Sequence, residues 1–291
     1  MIKGTIIKGI GGFYYIKTEH GIFECKGRGL FRKEKLIPFV GDHILLEPDS
    51  LDDYKGTIVE ILPRRNIFMR PPVANIDQLL IVMAMERPEP NFYLLDKFLV
   101  MAEKNQVEIL IAFNKVDLVE SEEIDKVEAI YGNIYKVRFF SAKTGLGVAT
   151  IKDELINKQT AVAGPSGVGK STLINNFHKD LNLEVGAISV KTQRGKHTTR
   201  HVELYELNNG GFVFDTPGFT SFETVDVDLE ELHFMFPELH GFSQECRFKS
   251  CTHINEPDCA VKLAVEAGKI HKSRYHSYIT LYNEIKNQRR F

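Results

Sequence analysis

The sequence predicts a multidomain chain: an N-terminal all-β barrel over residues 1–70, a central α/β domain built on a phosphate-binding loop over 71–232, and a mostly helical segment over 233–291. Three observations predict it. Five β-prone runs crowd the first 62 residues, strands and helices alternate on either side of Gly164–Ser171, and three of the four cysteines fall within 246–259. A chain of 291 residues is too long for one small domain. With 43% hydrophobic and 26% charged residues it has the balance of a soluble globular protein. It holds no apolar run of membrane-spanning length and its first residues lack a signal-peptide pattern, so a cytoplasmic protein without a membrane partner is expected. Four cysteines in so long a chain do not make a disulfide framework.

The barrel strands are expected at Gly4–Ile10, Phe13–Thr18, Ile22–Cys25, His43–Glu47 and Gly56–Leu62, broken by Gly, Pro and Asp clusters. That spacing favours an OB-fold. Phe13, Tyr14, Tyr15, Phe23 and Phe31 interleave with Lys17, Lys26, Arg28, Arg32, Lys33 and Lys35, a mixture that single-stranded nucleic-acid binders use. At least half of these aromatics are expected in the barrel core, which leaves the basic loop 26–35 as the contact candidate. Cys25 reads as an inert thiol. Pro63–Asn66 and the Pro71–Pro72 pair read as a linker.

In the core, a buried strand is expected at Asp77–Ala84, followed by a helix over Asn91–Asn105 with Asn91 as N-cap and Leu95, Phe98, Leu99 and Ala102 on one face. The strand Val107–Phe113 ends at Asn114-Lys115-Val116-Asp117. Ligands of open α/β sheets bind at such strand ends. The Asp117 carboxylate can accept from guanine N1–H and the 2-amino group, neither of which adenine offers. Lys115 can lie along the base and Asn114 can brace the loop. After a helix around 121–130 and a strand at 134–140, Ser141-Ala142-Lys143 supplies a backbone N–H for guanine O6.

The strand Gln159–Ala163 then feeds Gly164-Pro165-Ser166-Gly167-Val168-Gly169-Lys170-Ser171, with Thr172 opening a helix. Glycines let backbone N–H groups close on phosphate oxygens, Lys170 reaches the β- and γ-phosphates, and the Ser171 hydroxyl suits Mg²⁺. The basic stretch 191–200 follows, where Thr198 or Thr199 can join Mg²⁺. A strand at 211–214 delivers Asp215-Thr216-Pro217-Gly218, with Asp215 directed to Mg²⁺ and the Gly218 N–H to the γ-phosphate. Phe219 stands where Ras-like enzymes orient water with glutamine, so unaided turnover is expected to be slow, and His197 is the candidate to hold the water.

Cys246-x4-Cys251-x-His253-x5-Cys259 suits one closed, structural Zn²⁺. From His271 the chain reads helical, with Tyr275, Tyr278, Ile279, Tyr282 and Ile285 as a packing stripe and Lys272, Arg274, Lys286, Arg289 and Arg290 as phosphate contacts. His233, His240, His271 and His276 read as surface or packing residues.

Charge is unevenly spread. Of 37 basic and 39 acidic side chains, residues 1–70 hold 12 and 9 and residues 246–291 hold 9 and 4, leaving 16 and 26 in 71–245. Net charges of +3 and +5 thus flank −10, which leans toward an anionic macromolecular partner.

The motifs are those of GTPases, but the base-reading pair precedes the phosphate loop and the D-T-P-G comes last. That order, with Gly195-Lys196-His197-Thr198-Thr199, resembles the circularly permuted, ribosome small-subunit-dependent GTPases (the RsgA/YjeQ-like family) along the whole chain. Lys196 stands where that family places arginine, which keeps the charge but not a bidentate contact. The resemblance implies Mg²⁺-dependent GTP hydrolysis in late maturation of the small ribosomal subunit, GTP and GDP as ligands, rRNA contact, stimulation by the ribosome and zinc at the same four positions. A monomer is expected. Phe219 sustains an alternative, an RNA-binding assembly factor holding its nucleotide as a near-static ligand. The permuted order also places the γ-phosphate sensor near the C-terminal arm in sequence and the base-reading half near the barrel.

Overall fold

A computed structural model describes residues 1–29, 31, 36–50, 53–69, 71–177, 202–208, 210–215 and 227–288. The basic stretch 191–200 with His197, Thr198 and Thr199, then Gly218 and Phe219, Arg32, Lys33 and Lys35, and Arg289 and Arg290, lie outside the described residues. The chain divides into two compact units, Met1–Leu80 with Val148–Thr220, and Ile81–Gly147 with Ser221–Phe291.

The first unit opens with the barrel. Strands β1 (Ile2–Ile10), β2 (Phe13–Thr18), β3 (Gly21–Gly27), β4 (His43–Ser50) and β5 (Lys55–Ile61) pair in the order 1-2-3-5-4. A β1–β4 pairing closes the ring, and only β3–β5 is parallel. This is an OB-type barrel. Alternation sets its core: Ile6, Ile16, Phe23, Ile44, Leu46 and Ile58 are buried. Of the five barrel aromatics Phe23 and Phe31 are buried, short of the expected half. Tyr14 and Tyr15 are half-buried, and Phe13 is exposed beneath the Lys26 ammonium, 4.8 Å from its ring centroid. Cys25 is buried, and desolvation pushes its thiol up to about 12, so it is inert.

The segment read as a linker is instead structured. Strands β6 (Ile67–Met69) and β7 (Pro72–Ala74) form a hairpin. Arg64 donates from Nε and Nη2 to the two oxygens of buried Asp42, at 2.6 and 2.7 Å. Asn75 accepts from the Arg65 N–H and donates to the Gly41 carbonyl. The Pro and Asn residues signal a turn, but tertiary partners decide that it is ordered. At Gly41 (φ +92°) a Cβ would lie 2.1 Å from the Ala74 carbonyl oxygen, so only glycine fits.

The rest of this unit carries β11 (Gln159–Ala163), β12 (Glu203–Glu206) and β13 (Phe212–Asp215), flanked by short helices at Val148–Glu154 and Lys170–Phe177. β11 and β13 are parallel, and β12 runs antiparallel to β13. β12 also pairs with barrel strand β1, Lys8 opposite Glu203, so one sheet runs from the phosphate-loop strand into the barrel.

In the second unit, parallel strands β9 (Glu108–Asn114) and β10 (Lys136–Phe139) follow β8 (Gln78–Ala84), which is buried along its whole length. Helix α1 (Phe92–Lys104) starts at Asn91, whose side chain accepts from the Leu94 N–H at 2.9 Å. Leu95, Phe98, Leu99 and Ala102 are buried as expected, but so are Asp96 and Val100. The reason is a second apolar core, in which Val100 joins Phe236, Leu239, Val261, Tyr278, Leu281 and Ile285. Helix α2 (Ser121–Tyr131) completes the nucleotide-motif part, and a helix at Lys272–Gln288 (α3) the C-terminal part.

Arg274, expected at rRNA phosphates, is completely buried. Its guanidinium donates to Glu238 from Nε (2.7 Å) and Nη2 (3.3 Å) and to Asp96 from Nη1, beneath Phe236 at 4.7 Å. Burial opposes its charge, but Asp96 and Glu238 outweigh that and hold its pKa well above the ordinary value. A sequence shows an arginine beside an apolar stripe; it does not show the two carboxylates that meet it.

Candidate functional site

Three constellations carry chemistry. In the first unit β11 and β13 are parallel with Ala161 level with Phe214, so the loop after Ala163 and Asp215 emerge at the same sheet edge. Gly164, Gly167 and Gly169 have φ of +131°, +79° and +99°, the conformations that turn backbone N–H groups inward and that a Cβ disfavours. Pro165 is half-buried, Ser166 exposed, and Val168 anchors the loop in the core. The Lys170 ammonium folds over this loop, donating to the carbonyls of Gly164 (2.7 Å) and Pro165 (2.6 Å). Burial lowers its pKa to about 8. A buried cation that donates, among the described residues, to neutral carbonyls has a stronger partner in a phosphate anion. Ser171 is buried at the helix start and Thr172 half-buried behind it. Burial, and Glu203 directly opposite on β12, push the Asp215 carboxyl up. A divalent cation beside the Asp215 carboxylate would reverse the shift.

In the second unit Asn114 and Ser141 sit at adjacent strand ends, because β9 and β10 are parallel with Phe113 level with Phe139. The buried Asn114 side chain accepts from the N–H of Lys115 (2.7 Å) and of Ala142 (2.9 Å), so it ties the loops at 114–117 and 141–143 together. Lys115 takes a left-handed conformation and its ammonium donates to the Arg87 carbonyl. Asp117 and Lys143 are exposed, and Ser141 is buried with its hydroxyl accepting from the Thr144 N–H. The bracing role expected of Asn114 thus has a definite geometry.

The third constellation is Cys246, Cys251, His253 and Cys259, whose ligand atoms all lie within 4.8 Å of one another. The Cys246 and Cys259 sulfurs are 3.8 Å apart, and each is 3.5 Å from His253 Nδ1. A tetrahedral ion with metal–sulfur bonds of about 2.3 Å and a metal–nitrogen bond of about 2.0 Å sets S···S near ~3.8 Å and S···N near ~3.5 Å. The cluster can hold a metal ion, with Nδ1 as the imidazole donor. Burial, then His233, lowers the imidazole pKa to about 4, which keeps it neutral for ligation. Burial pushes the Cys251 thiol up to about 12, a cost that a cation would remove.

Sequence reading missed the frame around this cluster. The Glu256 carboxylate accepts from the N–H groups of Thr252, Ile254 and Asn255 and from the Thr252 hydroxyl. Those bonds overcome a burial penalty and hold its pKa at about 2. Tyr275 and Tyr278 donate to the carbonyls of His253 (2.6 Å) and Thr252 (2.7 Å), and His233 packs edge-on at 5.2 Å against the His253 ring. An acid between metal ligands was the only signal in the sequence for any of these.

The strand order, with the N-K-x-D and S-A-K loops after β9 and β10 ahead of the glycine-rich P-loop after β11, is that of a circularly permuted P-loop GTPase with an OB-type barrel before it and a cysteine–histidine cluster behind. Comparison agrees. The family described as RsgA GTPase matches residues 61–225, and the RsgA N-terminal domain matches residues 3–58. A protein of Caldanaerobacter subterraneus subsp. tengcongensis called small ribosomal subunit biogenesis GTPase RsgA is 49% identical over 288 residues, covering 99% of this chain and 97% of its own. A protein of the same name from Alkaliphilus metalliredigens is 45% identical over the full length of both. Among solved structures, YjeQ from Thermotoga maritima superposes with TM-score 0.86 at 38% identity over 97% of this chain and 98% of its own. YloQ, described as a circularly permuted GTPase, gives 0.84 at 38% identity over 99% and 96%. The chain belongs to the RsgA GTPase family and is a GTPase.

Proposed function

We propose that this protein hydrolyses GTP in late maturation of the small ribosomal subunit, contacting rRNA and being stimulated by the subunit. The observation that carries the GTP reading is that one chain holds both a Lys170-capped glycine loop and an Asn114-braced N-K-x-D loop, each after a parallel strand of its own unit. The names of the curated relatives support the ribosomal part. In this reading Asn114, Lys115, Asp117 and the Ser141–Lys143 turn take the guanine. The backbone N–H groups of 164–172, the Lys170 ammonium and the Gly218 N–H take the phosphates. Ser171 and Asp215, with Thr198 or Thr199, would hold Mg²⁺, which when bound would neutralise phosphate charge.

A water oriented by His197 attacks the γ-phosphorus as the bond to the bridging oxygen breaks, leaving GDP and inorganic phosphate. The cysteine–histidine cluster takes one structural Zn²⁺, since the donor set is closed and leaves no position for substrate. Residues 1–70, 71–232 and 233–291 act as RNA-contacting barrel, permuted GTPase domain and zinc-binding domain of a cytoplasmic monomer. Among the described residues no helix is long and apolar enough to cross a membrane.

Multiple-turnover hydrolysis of GTP and ATP, with and without small subunits, tests the proposal. GTP-selective turnover that rises with subunits is expected. Equal use of ATP would sink the base assignment, and no response to subunits would sink the ribosomal one. A His197→Ala protein keeping full subunit-stimulated turnover would remove His197 from the water site.

A further inference from the structure

The second unit contains an open groove of about 740 Å³ between the 85–92 loop and helix α2. Its floor is apolar, made by Met85, Phe92, Val119, Val127 and Ile130. Its rim is acidic on balance: Glu86, Glu89 and Glu123 line it with Lys126, Lys126 pairs with Glu123, and Arg87 of the same loop pairs with Glu86. The surroundings reinforce that sign, since residues 117–128 hold Asp117, Glu120, Glu122, Glu123, Asp125 and Glu128 against Lys126 alone. The walls are braced. The Met85 N–H donates to the Asn114 carbonyl at 2.9 Å, and the Lys115 ammonium to the Arg87 carbonyl, so the loop is tied to the base-reading strand end. Such a groove does not have to form at the moment of binding.

Charge decides the class of occupant. An acidic rim repels nucleic-acid phosphates, so this face does not serve the RNA contacts assigned to the basic arms. A metal ion is not favoured either, because the cysteine–histidine set is the only convergent ligand cluster among the described residues. What fits is a cationic chain with an apolar side chain to cover the floor, its charges on the rim and its anchor in the pocket. We propose that this groove docks a lysine- or arginine-rich protein segment that seats one large apolar side chain against Phe92, Val127 and Ile130. It is a protein-recognition surface on the acidic middle of a chain whose ends are basic.

The full-length protein can be titrated with two fluorescent heptapeptides, Lys-Lys-Lys-Phe-Lys-Lys-Lys and the same peptide with glycine in place of phenylalanine, with anisotropy as the readout. The phenylalanine peptide is expected to bind at least about tenfold tighter. Two variants then separate rim from floor. The double reversal Glu89→Lys/Glu123→Lys, at exposed positions, is expected to weaken binding about tenfold or more, and Ala129→Trp, which fills the groove without changing charge, by a similar factor. Equal binding of the two peptides overturns the proposal, as does undiminished binding by both variants or displacement of the peptide by oligouridine. None of these readouts depends on ribosomal stimulation of GTP turnover, so this inference and the proposed function fail separately.

Discussion

The two units attach their outlying arms by different physics. In the first, the barrel joins the phosphate-side sheet through backbone pairing of β1 with β12, with the Asp42–Arg64 bidentate pair and Asn75 pinning the hairpin beside it. In the second, the C-terminal segment is held to helix α1 by side chains: an apolar core and one buried arginine between Asp96 and Glu238. Backbone pairing tolerates substitution, because every residue but proline can supply it. A buried charge does not, because removing one partner strands the other. Spatial grouping differs from chain order. Asp215 and the glycine loop share a unit with the barrel, and the loops at 114–117 and 141–143 share one with the cysteine–histidine segment. Barrel Lys8 even pairs at 2.8 Å with Glu203, the acid opposite Asp215.

Metal removal gives the largest expected contrast. Structural zinc sites contribute on the order of 10 kcal/mol. Chelation should therefore loosen residues 246–259 and leave the barrel intact. Thiol titration then reads three reactive cysteines of four, with Cys25 unreactive; release of all four, or of none, would break the contrast. Next comes Arg274→Ala, which leaves Asp96 and Glu238 buried without their cation and should cost about 3–5 kcal/mol in denaturant unfolding. A loss under about 1 kcal/mol would mean that the apolar core alone holds the segment. Gly41→Ala tests the barrel side at its tightest point and should cost more than about 2 kcal/mol through the clash with the Ala74 carbonyl and the positive φ. Lys8→Ala, at a partly exposed pair, should cost less than about 1 kcal/mol while strand pairing persists. A larger loss would show that side-chain charge, too, holds the barrel in place.

Much of this was legible in the residues. The alternation of the barrel strands, the Asn91 cap, the stripe Leu95–Phe98–Leu99–Ala102 and the order of the nucleotide motifs each depend on near neighbours in the chain, where pattern and chemistry coincide. The cysteine–histidine cluster was legible for a related reason, since its four residues lie within 14 positions. Arg274 was misread because helical periodicity gives a side chain its face but not its partner, and its carboxylates lie 36 and 178 residues away. The same limit hid Asp96 and Val100, whose burial needs a second core against α1.

The sequence by itself determined the parts: barrel, permuted GTPase core and cysteine–histidine cluster. Those are local matters of strand alternation, glycine-dependent turns and ligand spacing. Only the tertiary structure decided which arm accompanies which half of the nucleotide chemistry, and that a supposed linker is a pinned hairpin. Strand pairing and buried charge join residues that chain order keeps apart, and their free energy depends on what is brought together in space.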